Sequence, residues 1–447
     1  MKKTILTAAI CISSYGIYAQ SGLKPVVNKA AESIESKVVA WRRDFHQNPE
    51  LGNEEVRTAK IVADHLRKLG IEVQEKVAYT GVVGVLKGGK PGPVVALRAD
   101  MDALPVTERV DVPFKSNVMT EYNGQKTGVM HACGHDGHTA ILMGVAEVLA
   151  GVRENLSGTV KFIFQPAEEG VYNGKPFGAD LMIKEGVMEN PKVDVIFGLH
   201  LNSQTEVGTI KYRPGATMAA VDGLSIKLKG RQAHGSAPWS GIDPIVTASQ
   251  IVLGLQTIVS RNVNITENPA VVTVGAIHGG IRQNIIPESV EMIGTIRTFG
   301  DDQRTLVLRR IEEVSTKIAE SAGAKAEVKI GNGYPATIND PELTDKMIPT
   351  LEALAGKTNI KITPAITGSE DFSYFQKVVP GFFYFLGGMP KGKSPYDVAS
   401  HHTPDFYIDE GGFTLGVKSL SHLVLDYMDM STKTTTAPTA SAKKGKK

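Results

Sequence analysis

Apolar runs of strand length alternate with helical periodicities along this chain, and the alternation breaks once and then resumes. Residues 29–47 carry apolar positions at helical spacing up to Pro49. A second amphipathic helix is predicted over 54–69, stopping at Gly70, where a glycine C-cap is expected. Residues 82–86 and 94–97 read as buried strands, 136–149 as a helix, 159–164 as a strand, and 193–199 as a strand ending on His200. That order predicts an α/β sheet. From about 219 to 331 the pattern changes: strand 224–228, helix 244–260, strands 270–277 and 290–298 around Gly279-Gly280, helix 301–321, strand 326–330. The order β-α-β-β-α-β is that of a ferredoxin-like sandwich. Residues 359–367 and 381–386 then read as buried strands again. The predicted fold is therefore α/β. A discontinuous sheet domain over 20–218 and 332–430 is interrupted by a ferredoxin-like unit over 219–331. Long insertions with neighbouring ends carry only a modest entropic cost.

The two ends read differently from the body. Met1-Lys2-Lys3, an apolar stretch over 5–17 and a small residue at Ala19 describe a secretory signal peptide over 1–19. A secreted or periplasmic location is expected. The stretch is short for a span of about 20 residues, no later segment suits one, and Ile10 before Cys11 does not suit lipidation. Residues 431–447 are rich in Lys, Thr and Ala and are predicted to be disordered. Of 49 basic residues, Lys2, Lys3 and five tail lysines lie outside the body, which leaves 42 against 47 acidic residues, a net charge of −5. That balance excludes a basic nucleic-acid-binding surface.

With the leader removed, Cys133 is the one cysteine, so no intramolecular disulfide forms. It sits in Met130-His131-Ala132-Cys133-Gly134-His135-Asp136-Gly137-His138. Thiolate, imidazole and carboxylate are the groups that hold transition metals. Other polar clusters also follow apolar runs: Asp100 and Asp102, Glu168-Glu169, His200, and the late pair His401-His402. In an open α/β sheet, ligands bind beyond the carboxyl ends of the strands. A lone histidine there is more often structural, and a Glu-Glu pair more often solvated; the joint placement is what points to a site. Two divalent ions about 3.5–4 Å apart need roughly five to seven protein ligand atoms. Cys133, His135, Glu169, His200 and one of His401 or His402 supply them, and Glu168 remains free to move a proton. A cysteine hydrolase or thiol oxidoreductase would leave the Glu-Glu pair and the late histidines without a role. A non-catalytic binding protein would be free to lose them.

The chain resembles the M20 metallopeptidase family, in the amidohydrolase branch of hippurate, N-acyl-amino-acid and indole-acetyl-amino-acid hydrolases. The matching stretches span residues 38–428. They include Arg42–Gly52, Leu97-Arg98-Ala99-Asp100-Met101-Asp102, Cys133-Gly134-His135-Asp136, Gln165-Pro166-Ala167-Glu168-Glu169-Gly170, Gly230-Arg231-Gln232-Ala233-His234, Gly368-Ser369-Glu370-Asp371-Phe372 and His402-Thr403-Pro404. The resemblance implies Cys133, His135, Glu169, His200 and His402 as ligands of two divalent ions: zinc, manganese, cobalt or nickel. It implies Glu168 as general base, Asp102 as the group orienting a ligand, and His401 behind the ligands. It further implies that the inserted unit dimerises and that His234 reaches the partner's site to stabilise the oxyanion, with Asn284 and Arg297 contacting substrate. His46, His131 and His138 are read as structural. Asp100 stands where many members have a metal-binding histidine, and Cys133 where an aspartate bridges. The implied activity is hydrolysis of an N-acyl amino acid, with carboxypeptidase, dipeptidase or deacetylase as alternatives.

Overall fold

The computed structural model describes residues 20–171 and 173–435. The expected leader over 1–19, and 436–447 of the expected tail, lie outside the described residues. An eight-stranded sheet forms the body. Its order is Glu72–Val77, Gly81–Lys87, Ser157–Gln165, Lys90–Asp100, Val195–Glu206, Gly381–Met389, Ile210–Tyr212 and Ile360–Ile362. The four strands from Ser157–Gln165 to Gly381–Met389 run parallel. A parallel centre is covered on both faces, which is why these segments read as continuous apolar runs.

Period-two alternation divides their side chains between two cores. Leu97, Phe162, Phe197 and Tyr384 face one core, and Ala96, Ile163, Ile196 and Phe383 face the other. Helices Val56–Lys68, His135–Ala150 and Phe413–Thr435 cover the first face. Among the described residues, the short helices Gly178–Lys184 and Phe372–Gln376 cover the second. Val56–Lys68 shows how the pattern works: Ala59, Val62, Ala63 and Leu66 are its buried stripe, and the chain leaves it through Gly70 at φ +68°.

A separate antiparallel sheet takes the order Val271–His278, Ser289–Thr298, Ala220–Lys229, Lys325–Asn332. Helices Pro244–Arg261 and Asp301–Ser321 pack on it around Ile226, Ile251, Met292 and Ile311. Asp243 caps the first of these helices by accepting from the Ile245 and Val246 amides. The connectivity is the β-α-β-β-α-β order expected. No helix among the described residues is long and apolar enough to cross a membrane.

Several expectations need correction. The strand expected to end on His200 continues to Glu206, so His200 lies inside it. The helical run 29–47 breaks at Ile34 into Lys24–Ser33 and Glu35–Gln47. Of 359–367, only Ile360–Ile362 is strand, and it is an exposed edge rather than a buried one. The polar edge strand Glu72–Val77 and the helix Pro341–Ala355, with Pro349 inside it, were not anticipated. The last helix runs to Thr435, past the boundary expected at 430; Leu420, Leu423, Val424 and Met428 hold its preceding turns to the core.

Phe162 is fully buried in the parallel centre. Phe162→Ala is expected to cost about 3–5 kcal/mol through lost burial and the cavity left behind. A denaturant midpoint unchanged from wild type would contradict that placement.

Candidate metal centre

Sheet register sets the first row of the site. Arg98 pairs with both Ile163 and Gly198, Asp100 with Gln165, and His200 with Phe385. Asp100 and His200 therefore fall in one row on one face. Opposite them, the chain enters helix His135–Ala150 through Gly134 at φ +100°, and a Cβ there would sit 3.3 Å from Leu201 Cβ. Glycine accepts both the left-handed backbone and the close approach. The approach brings Cys133 Sγ to 3.4 Å from His200 Nε2. The late loop joins because the His402 amide donates to the Ala132 carbonyl at 2.8 Å. His402 Nε2 then lies 3.0 Å from Glu169 Oε1.

The Glu168-Glu169 loop is held just as tightly. The Ala167 amide donates to Glu55 at 2.8 Å, and the Glu169 amide to Asp102 at 2.9 Å. Ala167 and His402 both adopt left-handed backbone, at φ +52° and +62°. Such positions cost about 1–3 kcal/mol each and persist where the surroundings over-determine them.

Two donor sets share one sulfur. Cys133, His135 and His200 form the first, and Cys133, Glu169 and His402 the second; within each, the ligand atoms lie within 4.8 Å of one another. His135 Nδ1 faces the Asp102 carbonyl at 2.9 Å and its Oδ1 at 3.2 Å, while buried His135 Nε2 has no hydrogen-bond partner. His200 Nδ1 donates to the Leu201 carbonyl at 2.6 Å, which leaves Nε2 as the lone-pair nitrogen. A buried imidazole nitrogen without a partner, beside a thiolate and carboxylates, fits a divalent cation. The donor set fits a pair of cations sharing Cys133. His138 bonds Asp100 at 2.6 Å and accepts from the Leu201 amide at 2.7 Å. Both ring nitrogens of His138 are thus engaged, whereas His401 bonds the Leu201 carbonyl at 2.9 Å through Nε2 and packs its ring on His200.

The surrounding charges set the protonation of the site. Burial holds the Glu168 carboxyl well above its ordinary range, and Glu370, Glu169 and Asp371 push the same way. Burial, with Glu169 and Glu168, also raises the Cys133 thiol well above its usual value. Burial lowers His200, reinforced by His138 and His401, so the ring is neutral. For His135 burial opposes the charged ring, but Asp100 and Asp102 outweigh it and raise it to about 10.

A cavity of about 520 Å³ opens on this cluster. Cys133, Glu168, Glu169, His200 and His402 line one wall, and Arg297 lies in the lining, where it donates to Ser369 Oγ at 3.3 Å. His234 and Asn284 are not brought to it. Exposed His234 sits in strand Ala233–His234, its Nδ1 bonded to Ser236, and Asn284 is its neighbour, accepting from the Gly235 amide. Sequence reading also missed residues that shape the site. Buried Arg98 bonds Asp100, Glu370, Asp371 and Gln165 at 2.7–3.0 Å. Arg98, Glu370 and Asp371 stand inside matched stretches, which was the available signal. Glu55 and Tyr334 gave none.

Residues 96–426 match the profile of peptidase family M20/M25/M40. The chain is 41% identical over 396 residues to Thermostable carboxypeptidase 2 of Saccharolobus solfataricus, covering 88% of this chain and 95% of that protein. It is 37% identical over 433 residues to IAA-amino acid hydrolase ILR1-like 2 of Arabidopsis thaliana, covering 95% and 94%. It superposes with TM-score 0.73 on a dinuclear metal-binding peptidase of the M20 family from Bacillus subtilis, at 35% identity, over 89% of this chain and 99% of that one.

Without a cation, both the Cys133 thiol and the His135 ring carry a proton at neutral pH. Binding displaces both, and also the proton that Glu169 helps His402 to hold, so apparent zinc affinity is expected to strengthen by about 100-fold or more per pH unit between about pH 6 and 8. Cys133→Ser is expected to lower the stoichiometry and cut that slope by about one proton. Competition with a chelator at several pH values measures both, and a pH-independent affinity would reject the thiolate–imidazole set.

Proposed function

The chain belongs to peptidase family M20/M25/M40 and is a metal-dependent amidohydrolase or peptidase; from that premise we propose that it cleaves an N-acyl amino acid to a carboxylate and a free amino acid. One observation carries the reading. A single cavity is lined by Cys133, which joins the two donor sets, by Glu169, His200 and His402, by the acid Glu168 and by a guanidinium, while His135 of the first set is fully buried. When bound, the divalent ions supply the Lewis acidity that makes water nucleophilic near neutral pH and polarises the amide carbonyl.

Glu168 is the general base. Its Oε2 lies 4.0 Å from His135 Nε2, and its raised proton affinity suits a group that takes a proton from water and returns it to the departing nitrogen. Asp102 fixes the His135 ring through Nδ1, with Nε2 toward Asp100 and Glu168. Arg297 is the anchor for the substrate carboxylate, which an amino-acid product requires. The same anchor would take a peptide C-terminus. That second reading is favoured by the carboxypeptidase relative.

The four-stranded unit is proposed to dimerise, with His234 entering the partner's cavity beside Asn284 to stabilise the oxyanion. Half-exposed Ile293, on the sheet face away from its helices, supports this role. Export is proposed from the leader-like segment over 1–19.

A panel of hippurate-like, N-acetyl and dipeptide substrates, assayed with chelator and then with each metal restored, tests the assignment. N-acyl amino acids are expected to turn over fastest, and failure of all of them beside active dipeptides would favour the peptidase. Glu168→Gln is expected to lose about 10²- to 10⁴-fold in kcat while keeping its metal; normal turnover by the metal-replete variant would remove Glu168 from the role. Mixing the inactive Glu168→Gln and His234→Ala proteins is expected to restore activity through hybrid dimers. No recovery on mixing would confine His234 to its own subunit.

A further inference from the structure

Glu168 and Glu169 are adjacent, yet only Glu169 shares a donor set with Cys133 and His402, while Glu168 also lies among Glu370 and Asp371. The peptide joining them decides that division. Its N–H, on Glu169, donates to Asp102 Oδ2 at 2.9 Å. Its carbonyl, on Glu168, accepts from the Tyr334 hydroxyl at 2.7 Å. The two ends of one peptide plane are thus gripped from opposite sides. Asp102 belongs to the segment after the central strand and also holds His135. Tyr334 arrives from elsewhere, on the return connection between strands Lys325–Asn332 and Thr337–Asn339. Its own carbonyl accepts from the Val221 amide at 3.1 Å, which ties it to the first strand of the four-stranded sheet. Its ring packs between Phe177 and Tyr374 and lines the 520 Å³ cavity. A carbonyl can only accept, so the phenol O–H is the donor.

We propose that Tyr334 is a positioning residue: its hydroxyl, opposite Asp102, fixes the plane of the Glu168–Glu169 peptide and so holds Glu168 toward the substrate water and Glu169 toward the cation. Because Tyr334 hangs from the first strand of the four-stranded sheet, the grip also links the seating of that unit to the aim of the base. The inference rests on the proposed role of Glu168 as base and Glu169 as ligand.

Tyr334→Phe tests it, since the ring and its packing remain and only the hydroxyl goes. Tyr384→Phe serves as control, because it removes a fully buried phenol hydroxyl, bonded to Ser419, from the core and away from the cavity. The metal-replete Tyr334→Phe enzyme is expected to lose about 3- to 10-fold in kcat with KM within twofold, the signature of an interaction that matters in the transition state. Cobalt titration of the metal-free protein provides a second readout. The variant is expected to keep two equivalents but bind the weaker one several-fold less tightly, with an altered thiolate-to-cobalt absorption band. Tyr384→Phe is expected to lower thermal stability alone. Unchanged kcat and cobalt binding in Tyr334→Phe would overturn the proposal, as would a loss of stability matching the control with no change in either. Should wild-type protein hydrolyse no substrate under any metal, the functional reading fails, and the cobalt titration alone decides whether Tyr334 positions the pair.

Discussion

Arg98 is fully buried at the middle of the sheet, and the site is arranged around how its charge is met. Asp100, Glu370 and Asp371 close on its guanidinium, with Gln165 completing the hydrogen bonds. An unpaired guanidinium there would carry a desolvation penalty of several kcal/mol. Pairing it draws the loop at 370–371 onto the central strand, although the two are far apart in sequence. The carboxylates outnumber their cation, however, because Asp102, Glu168, Glu169 and Glu55 lie in the same region. In such surroundings an excess of negative charge is relieved by protons or by metal ions. Burial accordingly pushes Glu55 and Asp371 up to about 8 and raises Glu168 and Glu370. A divalent pair at Cys133 would meet the same excess from the cavity side.

The second constraint is backbone geometry. Ala167 and His402 stand in left-handed conformations that side chains with a Cβ rarely adopt. Hydrogen bonds to Glu55, Asp102 and Ala132 hold them there. Such a framework lets neighbouring residues serve different ends, since a fixed peptide plane sends successive side chains in different directions. It also places the strain where the chemistry is, in keeping with the way active-site loops are built.

Much of this was legible before any coordinates. The parallel strands announced themselves because burial on both faces writes a continuous apolar run, as in 159–164 and 381–386. The four-stranded unit was readable because its helices follow the 3.6 period and its turn at Gly279-Gly280 is glycine-rich. Where the reading failed, the usual signal was absent. Glu72–Val77 is a polar edge strand stabilised by pairing with its neighbour rather than by burial. Pro341–Ala355 carries an internal proline that argues against a helix, yet its packing on the C-terminal helix sustains it. His200 looked like a strand end because the apolar run stops at Leu199, whereas main-chain pairing with Gly381–Met389 carries the strand on.

The amino-acid order by itself determined the α/β class, the interrupted sheet, and the residue types able to bind a cation, because periodicity and donor chemistry are local properties. It could not decide that Cys133 belongs to both donor sets, that His135 Nε2 is left without a partner, or that Tyr334 grips the peptide between two glutamates. Those are distances between segments separated by tens to hundreds of residues, and only the packing of the sheet and its loops sets them.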